Sequence, residues 1–154
     1  MNRYEKTLIN NEHIVIKETS NLPNQLKGLY VDGLILLKDD LSNKEKLEVL
    51  GEELAHHDIS YGDILDTIEL WKWKFEHKAR RLGFEKIIPL KSIVQAYQSG
   101  VHNKFELSNY LDVSEGYIDE ALEHYKQKYG LSTWYDHYLI KFNPLQVYEY
   151  REIN

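Results

Sequence analysis

The sequence predicts an α+β fold with a small sheet first and helices after it. Three observations carry that expectation. Short β-prone runs flank Asp32-Gly33 near the N-terminus. Ser42-Asn43-Lys44-Glu45 is a capping box that opens a long helical stretch. From there to Tyr129 the apolar residues recur at helical spacing, with Pro and Gly between segments.

The elements follow in order. The first ten residues suit a short helix. "HIVIKE" alternates apolar and polar residues and suits a strand. "NLPNQLKG" reads as loop from its Pro, Asn and Gly. "GLYVDGLILLKDD" reads as a hairpin around Asp32-Gly33. The helix opened by Ser42 should bury Leu47, Leu50 and Leu54 on one face and end near Ile59, where Ser60-Tyr61-Gly62-Asp63 has turn chemistry. A second long helix is expected from about Asp66 to Phe84, with Pro89 beyond it. Three shorter helices should follow, near Leu90–Ser99, Lys104–Leu111 and Ser114–Tyr129, with Gly130 as a stop. The Tyr-rich tail from Trp134 to Tyr150 is expected as an irregular or strand-like wrap packed on the core.

The chain has 154 residues, 42% apolar and 29% charged, which suits a globular protein of one domain with an appendage. The expected division is residues 1–88 and 89–154. The sequence lacks cysteine, which removes disulfides, thiol nucleophiles and cysteine zinc sites. No apolar run approaches the roughly 20 residues of a membrane helix, and the N-terminal stretch lacks the apolar segment of a signal peptide. Cytoplasm is the expected compartment, with no membrane partner. The net charge of −6 argues against bulk phosphate binding. The charge is uneven. Residues 71–91 are rich in Lys and Arg, whereas residues 105–125 carry Asp and Glu with neither Lys nor Arg.

The chemistry concentrates in "GEELAHHDIS", residues 51–60. A zinc-peptidase helix reads His-Glu-x-x-His, with two metal ligands one turn apart and a glutamate base beside the first. Glu52-Glu53-Leu54-Ala55-His56 fits that frame with Glu in place of the first His. Glu52 and His56 would share one side of the helix, with Glu53 about a quarter turn away. Zinc accepts both ligand types, and catalytic sites usually add a third ligand and a water. The metal would lower the pKa of that water and Glu53 would take its proton. Glu76 on the second helix is the candidate third ligand. Ala79 and Gly83 share its face and would let the two helices approach closely.

A solvated, charged helix surface is the plainer account of Glu52-Glu53 before two histidines. His57 is the rival ligand, although its frame leaves Leu54 where the base should stand. His77 points about a quarter turn from Glu76 and suits solvent. Asp63 could orient a ligand histidine or simply stabilise its turn. Trp71, Trp73 and Phe75 spread around the second helix, mostly toward core, with one of them near the cleft.

"LKGLYVDGLILL", "EKLEVLGEELAHH", "YGDI" and "FEHKARRLGFEKIIPL" together resemble the ImmA/IrrE-type metallopeptidases, in particular the short versions encoded by phages and mobile elements of Gram-positive bacteria. The resemblance covers about Leu26 to Tyr129. It implies a minimal zincin-like fold, a small sheet with two crossed active-site helices, followed by a helical, helix-turn-helix-like C-terminal part. Carried over by position, it implies Glu52, His56 and Glu76 as metal ligands and Glu53 as the general base. The better-known members have His at the first position, so Glu52 departs from them. Two Glu and one His form a harder donor set, which keeps Mn²⁺ beside Zn²⁺ as the expected cofactor. The implied function is an anti-repressor: an endopeptidase that inactivates the helix-turn-helix repressor of the same element. The hairpin would offer an exposed strand edge to an extended peptide. Tyr30 would help hold substrate or oxyanion there, or be a packed hairpin aromatic. The alternative is a non-catalytic anti-repressor that sequesters the repressor.

"FELSNYLDVSEGYIDEALEHY" has helix-turn-helix shape. Its second helix carries Glu115, Asp119, Glu120 and Glu123 where a DNA reader needs Arg, Lys, Asn or Gln. Direct nucleic-acid binding is therefore not expected. The basic run with Lys72, Lys74, Lys78, Arg80 and Arg81 is a better anion-facing surface, or simply a solvated face.

Overall fold

A computed structural model describes residues 1–60 and 69–152. It is α+β, with six α-helices and two three-stranded sheets among the described residues. The chain divides into two compact units, Met1–Ile87 and Ile88–Asn154. None of the described helices is long and apolar enough to cross a membrane.

In the first unit, α1 (Arg3–Asn10) is capped by Asn2, whose side chain accepts from the Glu5 amide. β1 (Val15–Thr19) pairs parallel with β3 (Leu34–Lys38), and β2 (Gly28–Val31) pairs antiparallel with β3. The sheet order is β1-β3-β2, so β2 is an edge strand. A short 3₁₀ turn, Pro23–Gln25, lies in the loop before it. Asp32 and Gly33 both take positive φ, 49° and 82°, as a tight two-residue hairpin turn requires. Alternation along β3 puts Ile35 and Leu37 fully inside.

α2 (Asn43–Ser60) starts where Ser42 Oγ accepts from the Glu45 amide at 3.2 Å. Leu47, Leu50 and Leu54 are buried as their spacing requires. α3 (Glu69–Ile87) runs three residues past the expected end at Phe84 and stops just before Pro89. Leu82 and Phe75 of α3 pack against buried Ala55, Ile59 and Ala79, which joins the two helices.

The closeness of α2 and α3 comes from small residues on both. Gly51 and Ala55 lie one turn apart on α2, and Ala79 and Gly83 one turn apart on α3. A Cβ at Gly83 would sit 3.1 Å from both Cα and N of Glu52, and one at Gly51 would collide with the Ile87 side chain. Three elements are also tied by polar contacts. The buried Tyr4 donates to Glu18 at 2.9 Å, and Lys46 donates to the other oxygen of Glu18 at 2.6 Å.

The second unit has α4 (Leu90–Gln98), α5 (Lys104–Leu111) and α6 (Glu115–Tyr129). Asn103 caps α5 and Ser114 caps α6, each accepting an amide hydrogen bond three residues on. The α5–α6 turn is Asp112-Val113-Ser114, with Asp112 left-handed and Val113 fully buried. Glu115, Asp119, Glu120 and Glu123 face solvent on α6.

Of the two forms expected for the tail, irregular or strand-like, it takes the strand-like one. It forms a regular antiparallel meander of β4 (Ser132–Tyr135), β5 (Tyr138–Phe142) and β6 (Leu145–Glu149). The chain is thus not a sheet followed only by helices. Alternation along β5 turns Tyr138, Ile140 and Phe142 inward. Phe142 stacks on Tyr125, centroids 5.7 Å apart, while the Tyr125 hydroxyl donates to the Ile88 carbonyl at 2.7 Å.

Two stability tests follow. Gly83→Val should destabilise the protein by about 2 kcal/mol, the usual scale of overpacking, because the new side chain meets α2 backbone that cannot yield. Urea unfolding reads this, and an unchanged midpoint would show that the helices have slack. Glu18 is held below the ordinary carboxylate range, first by the Lys46 hydrogen bond, against some desolvation, with Tyr4 and the Lys46 charge adding. A lowered folded pKa gives stability that is present above the unfolded pKa of about 4.3 and is lost as pH falls through the folded value. Glu18→Gln should flatten the acid side of a stability–pH curve as pH falls below about 5. Equal slopes in both proteins would exclude Glu18 as a source of acid sensitivity.

Candidate metal centre

The close packing of α2 and α3 brings Glu52, His56 and Glu76 together. One donor atom from each lies within 4.8 Å of the other two. Glu52 and His56 come from successive turns of α2, and Glu76 from α3, three residues before Ala79. His56 Nε2 lies 3.0 Å from Glu76 Oε2, a hydrogen-bond distance. His56 is buried, with its ring tilted against Phe75 at 5.0 Å between centroids. Glu52 is half-buried and Glu76 exposed, so the group opens to solvent on the α3 side.

Glu53 is buried, 7% exposed. Burial pushes its pKa up to about 7; the His56 charge opposes the shift and the Glu52 and Glu76 charges reinforce it. For His56, burial disfavours the imidazolium. The Glu76 hydrogen bond and the Glu53, Glu76 and Glu52 charges outweigh that, and its pKa is raised.

The strand edge reaches the same place. A Cβ on Gly28 of β2 would collide with Val49 and stand 3.1 Å from Glu53 Oε1. Only a glycine lets the edge strand lie this close to the glutamate. Tyr30, two residues along β2, has its hydroxyl 3.1 Å from His57 Nδ1, and the two rings meet edge to face at 5.6 Å. His57 therefore belongs with Tyr30 and is not a member of the donor group. His77 is exposed. Asp63 and the side chains of Trp71 and Trp73 lie outside the described residues.

Three participants were not read from the sequence. Arg80 donates from Nη1 to Glu52 Oε2 at 3.1 Å. Its signal was present, since it follows Glu76 by four residues and so shares its face. Gly28 and Gly51 had no such signal, because a glycine's close contact depends on which element lies opposite.

The donor set fits a divalent cation. Two carboxylates and one imidazole are ligands that zinc and harder ions accept. Small side-chain rotations would bring atoms at this separation onto one ion. Glu53 follows Glu52 directly, where a general base for a water would be needed.

No protein-family model matches the chain, and no curated protein matches it. Among solved structures it is similar to a Mycobacterium tuberculosis transcriptional regulator, with 15% identity and a TM-score of 0.55. The match covers 78% of this chain and 40% of that one, so the chain spans less than half of the regulator's length. At that identity the similarity concerns the fold alone.

Proposed function

We propose that this chain is a metal-dependent endopeptidase of ImmA/IrrE type with a zincin-like first unit, and that it inactivates a helix-turn-helix repressor of a phage or mobile element by cleavage. The observation that carries the reading is the convergence of Glu52, His56 and Glu76 from two helices, within 4.8 Å, beside buried Glu53. Glu52, His56 and Glu76 would hold Zn²⁺, with Mn²⁺ the alternative. Bound there, the ion supplies Lewis acidity to a water and to the peptide carbonyl.

The chain's own residues account for the remaining steps. An extended peptide pairs with the β2 edge, whose backbone passes over Glu53 at Gly28. Tyr30 stands on that strand with its hydroxyl 3.1 Å from His57 Nδ1; with Nδ1–H donating to that oxygen, the hydroxyl hydrogen points to the substrate carbonyl. Glu53 takes a proton from the attacking water and delivers it to the leaving amine. A pKa near 7 suits a group that must accept and return a proton at neutral pH.

The second reading is a non-catalytic anti-repressor that holds the repressor without cutting it. The observation favouring it is Glu52, which stands where the better-known members have His.

Purified protein should contain stoichiometric Zn²⁺ or Mn²⁺, and Glu76→Ala should lose it while keeping its circular dichroism. Glu53→Gln should retain metal and fold yet no longer fragment a helix-turn-helix repressor that the parent cleaves, as read by mass spectrometry. No metal in the parent, even with both ions in excess, would overturn the catalytic reading. Metal retention with no repressor fragments in the parent would favour sequestration.

A further inference from the structure

Glu52 has a cationic partner in Arg80. Arg80 Nη1 donates to Glu52 Oε2 at 3.1 Å. The Arg80 guanidinium also lies over the Phe84 ring, 5.3 Å from its centroid. That ring leaves the guanidinium fewer places to go. Arg80 stands one turn beyond Glu76 on α3, so it arrives at the group with the third donor.

The charges explain the pairing. A donor set of two neutral His and one Glu carries one negative charge. Replacing the first His by Glu52 adds a second. The Arg80 guanidinium is always charged and returns the sum to one. It does so through a single Glu52 oxygen, Oε2, so the carboxylate's remaining acceptor capacity is not consumed.

We propose that Arg80 offsets the extra carboxylate at position 52 and thereby sets how tightly the Glu52–His56–Glu76 group holds a divalent cation. The inference rests on the metal-site reading above. Arg80 is a positioning and charge-setting residue in it. It touches Glu52 and takes no part in proton transfer. A surface ion pair of this kind contributes little to stability, so its effect should appear in cation affinity and not in folding.

The experiment measures Zn²⁺ and Mn²⁺ affinity by calorimetry for the parent, Arg80→Met, Arg80→Lys and Arg81→Met. Met keeps an apolar stem on Phe84 and removes the charge. Lys keeps the charge and loses the planar fork. Arg81→Met removes the same charge from the neighbouring residue. Arg80→Met should bind both ions more tightly, on the order of tenfold even under water-like screening. Arg80→Lys and Arg81→Met should stay close to the parent. Thermal unfolding of all four should coincide.

Tighter binding confined to Arg80→Met, with the parent, Arg80→Lys and Arg81→Met alike, would support the proposal. Weaker binding in Arg80→Met would overturn it and make Arg80 a simple orienter of Glu52. Equal affinity in Arg80→Met and the parent would overturn it as well and leave the metal reading standing. An equal gain in Arg81→Met would overturn it by reducing the effect to net charge. No binding in any variant would remove this proposal and the metal site together.

Discussion

Everything at the candidate site depends on how closely α2 and α3 pack. Gly51 and Ala55 face Ala79 and Gly83, and each missing side chain brings the two backbones nearer. A carboxylate reaches only a few ångströms from its own helix. Glu76 meets His56 at 3.0 Å because Ala79, three residues on, lies fully buried against Ala55 and Ile59. Larger residues at these positions would leave two charged helix faces apart, each solvated by water. The small-residue contact and the donor group are therefore one feature, since the contact sets the distance between the donors.

The same packing creates two environments from four neighbouring ionisable groups. Glu53 and His56 of α2 are buried, while Glu52 is half-buried and Glu76 of α3 is exposed. Desolvation raises the Glu53 pKa to about 7, whereas Glu52 is only half-buried and Glu76 is exposed. On the proposed reading, a buried glutamate whose pKa lies near 7 stands beside more open carboxylates as a base stands beside metal ligands. Adjacent positions on one helix suffice for this, because 3.6 residues per turn sends Glu52 and Glu53 to different sides.

Much of this was legible in the sequence, for physical reasons that vary by element. The capping box at Ser42 and the Leu47, Leu50 and Leu54 spacing set the start and inner face of α2, and with them the sides on which Glu52, Glu53 and His56 stand. Asp32-Gly33 fixed the hairpin, since both residues tolerate positive φ. The Ala79 and Gly83 spacing pointed to close packing without naming its partner surface. Non-local facts were hidden. Gly28 reads as an ordinary loop-edge glycine until β2 is known to lie over Glu53. Arg80 looks like one more charge in a basic run until Glu52 is known to face it. The tail was legible only as irregular or strand-like, for another reason. Its aromatic richness obscured the strict alternation of Tyr138, Ile140 and Phe142, and Asp136-His137 is a less recognisable hairpin turn than Asp32-Gly33, although Asp136 takes the same left-handed φ.

The Arg80 pairing bears on why a glutamate can stand at position 52 at all. Three carboxylates around one histidine would repel one another and resist assembly unless a cation joined them. Within the described residues the group already contains such a cation, supplied by α3 one turn from Glu76. On the proposed reading, the departure at position 52 is balanced by a residue twenty-eight positions away in sequence. Judged alone, Glu52 suggests a degraded motif. Judged with Arg80, it belongs to a set whose total charge matches that of two histidines and a glutamate. Motif matching along one helix cannot register this, because the compensation is made across the interface and only a paired account of α2 and α3 contains both terms.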